Sequence, residues 1–157
     1  MDKENSEFGM RNSESRGTPV EETTLFPPRK IEINKKVIGM TKMKKHRMTL
    51  NPIPMNDIRS GKKTIELRLY DEKRQKIFVG DIIKFVNSKN ITDTLCVVVE
   101  DLFVFDSFDE LYKNLPLLEC GYTKDNVDQA SPRDMESYYS REKQSKYGVI
   151  GIKISLI

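Results

Sequence analysis

The chain has 157 residues, of which 37% are hydrophobic and 32% are charged, and its formal net charge at pH 7 is +3. This composition is typical of one lean domain with an extension, and so small a charge excess does not by itself indicate a nucleic-acid ligand. Two cysteines and one histidine exclude a dense disulfide scaffold and provide no ligands at zinc-binding spacing, so neither a metal nor a cofactor is expected. Without an apolar run of about 20 residues or an apolar leader, the chain is expected to be cytoplasmic and to have no membrane partner.

The first 41 residues differ in composition from the rest. Residues 1–24 are rich in Glu, Ser, Asn and Arg and nearly free of large apolar side chains, which predicts a disordered or weakly ordered N-terminal tail over 1–41. A weak alternation at 31–40 could add a strand. The tail could be an over-extended start, a regulatory arm or a segment that recruits a protein partner.

Beyond the tail, the domain predicted at 42–157 alternates strand and helix signals. Asn51 followed by two prolines predicts the start of a short helix, and Gly61 predicts its end. Ser107, in the pattern Ser-x-x-Glu, predicts the first of several small helices, followed by a polar turn at 140–144. Hydrophobic alternation and β-branched residues predict strands at 47–50, 64–70, 82–87, 94–105 and 147–156, and a short strand and turn at 77–81. These elements predict a small mixed sheet or barrel with helices at one end, which a final strand returning to the first would close.

The strand predicted at 64–70 carries the clearest candidate site. Its alternation directs Ile65, Leu67 and Leu69 to the core, and directs Glu66 and Arg68 to the opposite face, toward water or a cleft. With Lys63 at the mouth of the preceding turn, a carboxylate lies beside two cations. Such a trio can grip a nucleobase edge, because Glu accepts from an exocyclic amine and Lys or Arg donates to oxygen. The alternative is a set of ordinary cross-strand ion pairs on a solvated face.

The residues Gly61, Lys63, Glu66 and Arg68 form the pattern Gly-x-Lys-x-x-Glu-x-Arg. In this pattern and in ordered segments around it, among them Val79-Gly80-Asp81-Ile82-Ile83-Lys84-Phe85, the chain resembles the ASCH (activating signal cointegrator homology) domain family. The neighbouring segments look like the bacterial branch of that family. The resemblance covers roughly residues 42–157.

This resemblance implies an α+β fold: a PUA-like mixed β-barrel with short helices at one end, preceded by the flexible tail. It further implies a cleft that binds RNA or a nucleoside or nucleotide. The expected ligand-binding residues are Gly61, Lys63, Glu66, Arg68 and Tyr70.

One enzymatic branch of the family hydrolyses N4-acetylcytidine with a lysine, a threonine and a glutamate. The resemblance places the lysine at Lys63 and the glutamate near Glu119, but Glu66 stands where the threonine would fall, and Thr64 is shifted by two positions. Lys63 and Glu66, with Glu119 as a weaker candidate, are therefore the catalytic residues expected if the chain is an enzyme.

Basic residues around the motif could form a rim that contacts phosphates, or they could be scattered surface charges. Tyr138 and Tyr139 could stack on a base, with packing in the core or rim as the alternative. The rim residues expected to contact nucleic acid are Lys45, Arg47, Lys62, Lys73 and Arg74.

Overall fold

In a computed structural model, the described part of the chain comprises residues 29–30 and 42–157. The rest of the predicted tail, including the alternation at 31–40, lies outside the described residues. Within the tail range, Arg29–Lys30 forms a short strand, β1. It pairs antiparallel with the segment Phe103–Val104 of a long later strand.

The described residues form six strands, three α-helices and four 3₁₀ helices. The strands are β1 Arg29–Lys30, β2 Lys45–Leu50, β3 Ile65–Leu69, β4 Ile82–Asn87, β5 Asn90–Phe105 and β6 Val149–Leu156. The α-helices are α1 Pro52–Arg59, α2 Phe108–Asn114 and α3 Arg141–Tyr147. The 3₁₀ helices are Arg74–Lys76, Leu117–Glu119, Val127–Gln129 and Pro132–Ser137.

All six strands belong to one mixed sheet, whose main path runs β2-β4-β5-β6-β3. β2 and β4 are parallel, and the other pairs along this path are antiparallel. β5 is 16 residues long, so it pairs with β4 through its first part and with β6 through its second. The expected α+β fold, with a mixed curled sheet and short helices, is confirmed.

The barrel is not closed in the way that the sequence suggested. The last strand, β6, pairs with β5 and β3, so β2 and β3 remain as the two edges of the path. The sheet is therefore a curled half-barrel with a gap between these edges.

Each face of the sheet packs against its own helix. On one face, Met55 and Ile58 of α1 join buried residues such as Phe85 and Ile152 in a cluster that we call the α1 core. On the other face, Phe108 and Leu111 of α2 cover a second cluster, the α2 core, which contains the β3 residues Ile65, Leu67 and Leu69. The predicted alternation of β3 is thus confirmed, and its opposite face belongs to the α1 side of the sheet because Glu66 pairs with Ile152.

Two local predictions differ from the structure. Residues 77–81 contain the expected turn but no strand, because the buried Asp81 accepts from the backbone N–H of Phe78 and so holds the turn. The predicted polar turn at 140–144 is the start of α3, where the Ser140 hydroxyl accepts from the Lys143 N–H. The predicted helix start is confirmed, since Asn51 occupies the N-cap position of α1; its side chain makes no capping bond and accepts from the Ser88 hydroxyl.

Two glycines with positive φ offer a test of local packing. Gly61 (φ +84°) has no atom within 4 Å of the point where a Cβ would stand, whereas at Gly148 (φ +75°) a Cβ would lie 2.9 Å from the Phe105 carbonyl oxygen. Gly61→Ala should therefore lower the free energy of unfolding by about 1–2 kcal/mol, the cost of left-handed backbone. Gly148→Ala should cost about 1–3 kcal/mol more, because its methyl group meets backbone that cannot move aside freely. Urea unfolding of both variants measures the difference, and equal losses would contradict the packing at Gly148.

Candidate functional site

A cavity of about 430 Å³ lies beside the gap between β2 and β3. One wall comes from the end of β2 and from α1, including Thr49 and Asp57. The facing wall comes from the helical insertion, residues 106–148, which connects β5 to β6. Three residues of the sequence motif line the cavity between these walls: Lys63, Glu66 and Arg68.

Glu66 is the central residue of the site. Its side chain is only 4% exposed, and its two oxygens contact two different cations. Arg68 Nε donates to Oε2 at 2.7 Å. Lys63 Nζ lies 2.8 Å from Oε1, so each carboxylate oxygen is paired with its own cation.

The two cations decide the charge state of Glu66. Burial alone would raise the pKa of its carboxyl group, but attraction to Lys63 and Arg68 outweighs burial, and the pKa is lowered from its usual value. For Arg68, burial works toward a lower pKa, and the neighbouring Glu66 carboxylate more than reverses this, so its pKa is raised. The site therefore holds a buried carboxylate that stays ionised at neutral pH.

Arg68 also spans the open side of the half-barrel. Its Nη2 donates to the Thr49 carbonyl oxygen at 2.9 Å, which joins β3 to β2 although the two strands share no backbone ladder. A single guanidinium thus bonds the buried carboxylate on one edge strand and a backbone oxygen on the other. This arrangement places the motif in the gap itself.

Gly121 lies beside the lysine. A Cβ on this residue would lie 3.6 Å from Lys63 Cδ and 3.8 Å from Nζ, which are ordinary contact distances, so it is the φ of +113° and not the space that favours glycine here. The adjacent Cys120 also lines the cavity, but burial raises the pKa of its thiol to about 12, which keeps it protonated.

Tyrosines dominate the insertion side of the cavity. Tyr112, Tyr122, Tyr138 and Tyr139 all line it. The ring of Tyr139 stacks on Phe108 of the α2 core, with centroids 6.2 Å apart, whereas Tyr138 is 66% exposed. The wall therefore contains both anchored and accessible aromatic rings.

The remaining ligand-binding candidates lie away from the cavity. Gly61 follows the C-cap of α1 and is exposed, where it turns the chain from helix to strand. Tyr70 is half-buried and packs against the α1 core. Neither lines the cavity.

The residues proposed as a basic rim are outside the cavity as well. Arg74 pairs with Asp71, Nη1 to Oδ2 at 3.0 Å. The other four are exposed: Lys45, Arg47, Lys62 and Lys73.

Glu119 and Thr64 bind each other instead of the motif carboxylate. The Thr64 hydroxyl donates to Glu119 Oε1 at 2.8 Å, and Lys153 Nζ lies 3.0 Å from the same oxygen. The hydrogen bond from Lys153 and the one from Thr64 lower the pKa of the Glu119 carboxyl group. Neither Thr64 nor Glu119 lines the cavity, so the pair fastens the insertion to the sheet beside it.

Asp57, Tyr112, Tyr122 and Asp134 line the cavity but were not predicted from the sequence. No local pattern marks them, since the insertion residues reach the motif only through the fold. Within residues 29–30 and 42–157, no cluster of His, Cys, Asp and Glu could hold a metal ion. No helix in that part of the chain is long and apolar enough to cross a membrane.

Comparison with solved structures gives two similar chains of the same size as the domain. Hypothetical protein PH0355, known from a crystal structure, is 35% identical, and the match covers 73% of this chain and 100% of that one with a TM-score of 0.59. Protein PF0455 from Pyrococcus furiosus, known from a solution NMR structure, is 33% identical over 72% of this chain and 97% of that one, with a TM-score of 0.56.

A more distant match supports the fold alone. A mutant of the ASCH protein ZmASCH from Zymomonas mobilis is 14% identical, and the match covers 71% of this chain and 68% of that one with a TM-score of 0.51. A search of the curated proteins returns no significant match. The family model for the ASCH domain matches residues 48–157, which include every motif residue and the whole cavity. The chain therefore belongs to the ASCH domain family.

Proposed function

We propose that this ASCH domain binds RNA or a nucleoside or nucleotide by holding a nucleobase in the cavity above Glu66. One observation carries the proposal: a buried, ionised carboxylate and the two cations that hold it line a cavity of about 430 Å³. A cavity lined by aromatic rings with a few convergent charged groups is typical of a site for a small ligand.

The groups around Glu66 suit the edge of a base. The Glu66 carboxylate can accept from an exocyclic amine, while N–H groups of Lys63 and Arg68 that do not face Glu66 can donate to a ring carbonyl. The exposed ring of Tyr138 is available to stack on the base. Outside the cavity, the rim residues Lys45, Arg47, Lys62, Lys73 and Arg74 would contact phosphates of a longer strand.

The Glu66 carboxylate provides the first test. Glu66→Gln keeps the shape of the side chain but removes the charge, and a hydrogen bond to a charged group is worth about 1.5–3 kcal/mol. Nucleoside affinity should therefore fall about tenfold or more, measured by NMR chemical-shift titration of the folded proteins. Glu72→Gln, on an exposed loop away from the cavity, is the matched control and should bind like the unchanged protein.

The same titration can overturn the proposal. If neither nucleosides nor a panel of short RNAs perturb the signals of Lys63 and Gly121 at low salt, the cavity is not a nucleobase site. Equal affinity in Glu66→Gln and the unchanged protein would remove Glu66 from the binding role.

An amidohydrolase acting on an acylated nucleoside is the second candidate function, and one observation favours it: Lys63 and Glu66 contact each other in the cavity. Against it, a carboxylate with a lowered pKa is a weak general base, and Thr64 is bonded to Glu119 outside the cavity. Incubation with N4-acetylcytidine should release no more acetate than a Lys63→Met variant does. Release well above that background would favour the enzyme over the binding module.

The ionised state of Glu66 can be tested through stability. Because its folded-state pKa lies below the unfolded value, its contribution to folding is present above the unfolded pKa and is lost as the pH falls through the folded pKa. The difference in unfolding free energy between the unchanged protein and Glu66→Gln should thus shrink as the pH falls below 4.5. Urea unfolding from pH 7 down to pH 3 measures it, and a difference that grows on acidification would show that Glu66 is protonated when folded.

A further inference from the structure

The outer face of β2 points away from the α1 core and carries a line of exposed side chains. Met48 of β2 belongs to the α1 core. The alternation of the strand therefore turns Lys45, Arg47 and Thr49 to the opposite side, where all three are exposed. Successive positions on this face are about 7 Å apart. Because Thr49 also lines the cavity, the two cations lead along the strand to the cavity itself.

β4 adds a third cation directly beside the second. Arg47 and Lys84 are register partners on the parallel strands β2 and β4, so their backbones are only about 5 Å apart. Lys84 is exposed between two buried neighbours on its strand, so its side chain lies on the same outer face as Arg47. Like charges at directly opposed positions of a sheet destabilise it. The next strand, β5, places Cys96 opposite Lys84 and so contributes no counter-charge.

We call Lys45, Arg47 and Lys84 the outer basic face. Among the described residues, no carboxylate forms an ion pair with any of these three side chains. From Thr49 at the cavity to Lys45, the face extends about 13 Å along β2, and it covers two strands. Cations spread over this distance match a run of phosphates better than the single phosphate of a mononucleotide.

We propose that the outer basic face binds the sugar–phosphate backbone of an RNA strand whose base enters the cavity. This inference rests on the proposed function and narrows its ligand from a free nucleoside or nucleotide to a strand of several nucleotides. The phosphates would supply the negative charge that the opposed Arg47 and Lys84 lack. Lys84 is thereby assigned to RNA binding, although no sequence pattern indicated it.

Lys84→Gln tests the outer basic face, with Lys124→Gln as the matched control. Lys124 is exposed in the insertion and does not line the cavity, and its substitution removes the same charge. Fluorescence anisotropy measures how the full chain binds a single-stranded RNA of about ten nucleotides, a usual length for such sites, over a range of salt concentrations. Loss of one phosphate contact should make the slope of log affinity against log salt concentration less steep by about 0.7. Lys84→Gln should show this change and still bind cytidine normally, whereas Lys124→Gln should keep the full slope.

The same measurements distinguish failure of the outer basic face from failure of the cavity. Equal salt slopes for Lys84→Gln and Lys124→Gln would overturn the inference, and cytidine binding would still support the cavity. Displacement of the RNA by an equal concentration of an acidic peptide of the same charge would also overturn it, because the face would then fit an acidic protein partner. If neither RNA nor cytidine binds the unchanged protein, the proposed function fails with the inference. If RNA binds with the expected dependence on Lys84 but no nucleoside binds, the face is supported and only the cavity fails.

Discussion

The ionised Glu66 carboxylate, held between Lys63 and Arg68, is the interaction on which the site and the open side of the half-barrel both depend. A carboxylate that is 4% exposed is stable only if its charge is matched nearby. The motif supplies both cations within two or three positions along the chain, one from the turn before β3 and one from β3 itself. Removal of either cation would leave one oxygen of the buried carboxylate without its partner, so the three residues act as a unit.

This unit explains why binding chemistry and architecture coincide. Arg68 holds Glu66 and the Thr49 carbonyl at once, so the group that sets the electrostatics of the cavity also joins the two edge strands. The insertion then completes the cavity, because Gly121 lies beside the Lys63 stem and the Thr64–Glu119 bond fastens the insertion beside β3. Family membership accounts for the shared fold, whereas the ligand follows from the side chains that face the cavity.

Much of the fold was predictable from local patterns, and the rest depends on long-range packing. The alternation of Ile65, Leu67 and Leu69 identified their face correctly, because an alternating strand needs only one apolar layer to cover it. The same pattern could not show that the opposite face of β3 is also covered. Because that face is covered, Glu66 is buried and does not simply face an open cleft. The apolar start of segment 77–81 resembled a strand by composition, but the bond from the Phe78 N–H to Asp81 holds the segment in the turn that was also expected there.

The candidate site was likewise only partly predictable from the sequence. Lys63, Glu66 and Arg68 are close in sequence, so spacing and the family resemblance were enough to group them. Tyr122 and Asp134 lie more than 50 residues further along the chain, and only the fold brings them to the motif. Patterns that extend over a few residues cannot reveal such partners. The tyrosines that line the insertion side of the cavity were therefore missed, apart from Tyr138 and Tyr139.

The contact between Arg68 and Thr49 has a consequence for the behaviour of the protein in concentrated solution. An exposed edge strand offers its backbone oxygens and N–H groups as a template on which another chain can add a strand. On β2, one of those oxygens is already taken by a guanidinium, and Lys45 and Arg47 bring further positive charge to the same strand. Charged side chains on an edge strand disfavour its pairing with a second copy. The contact between Arg68 and the Thr49 carbonyl therefore also disfavours edge-to-edge aggregation of the sheet.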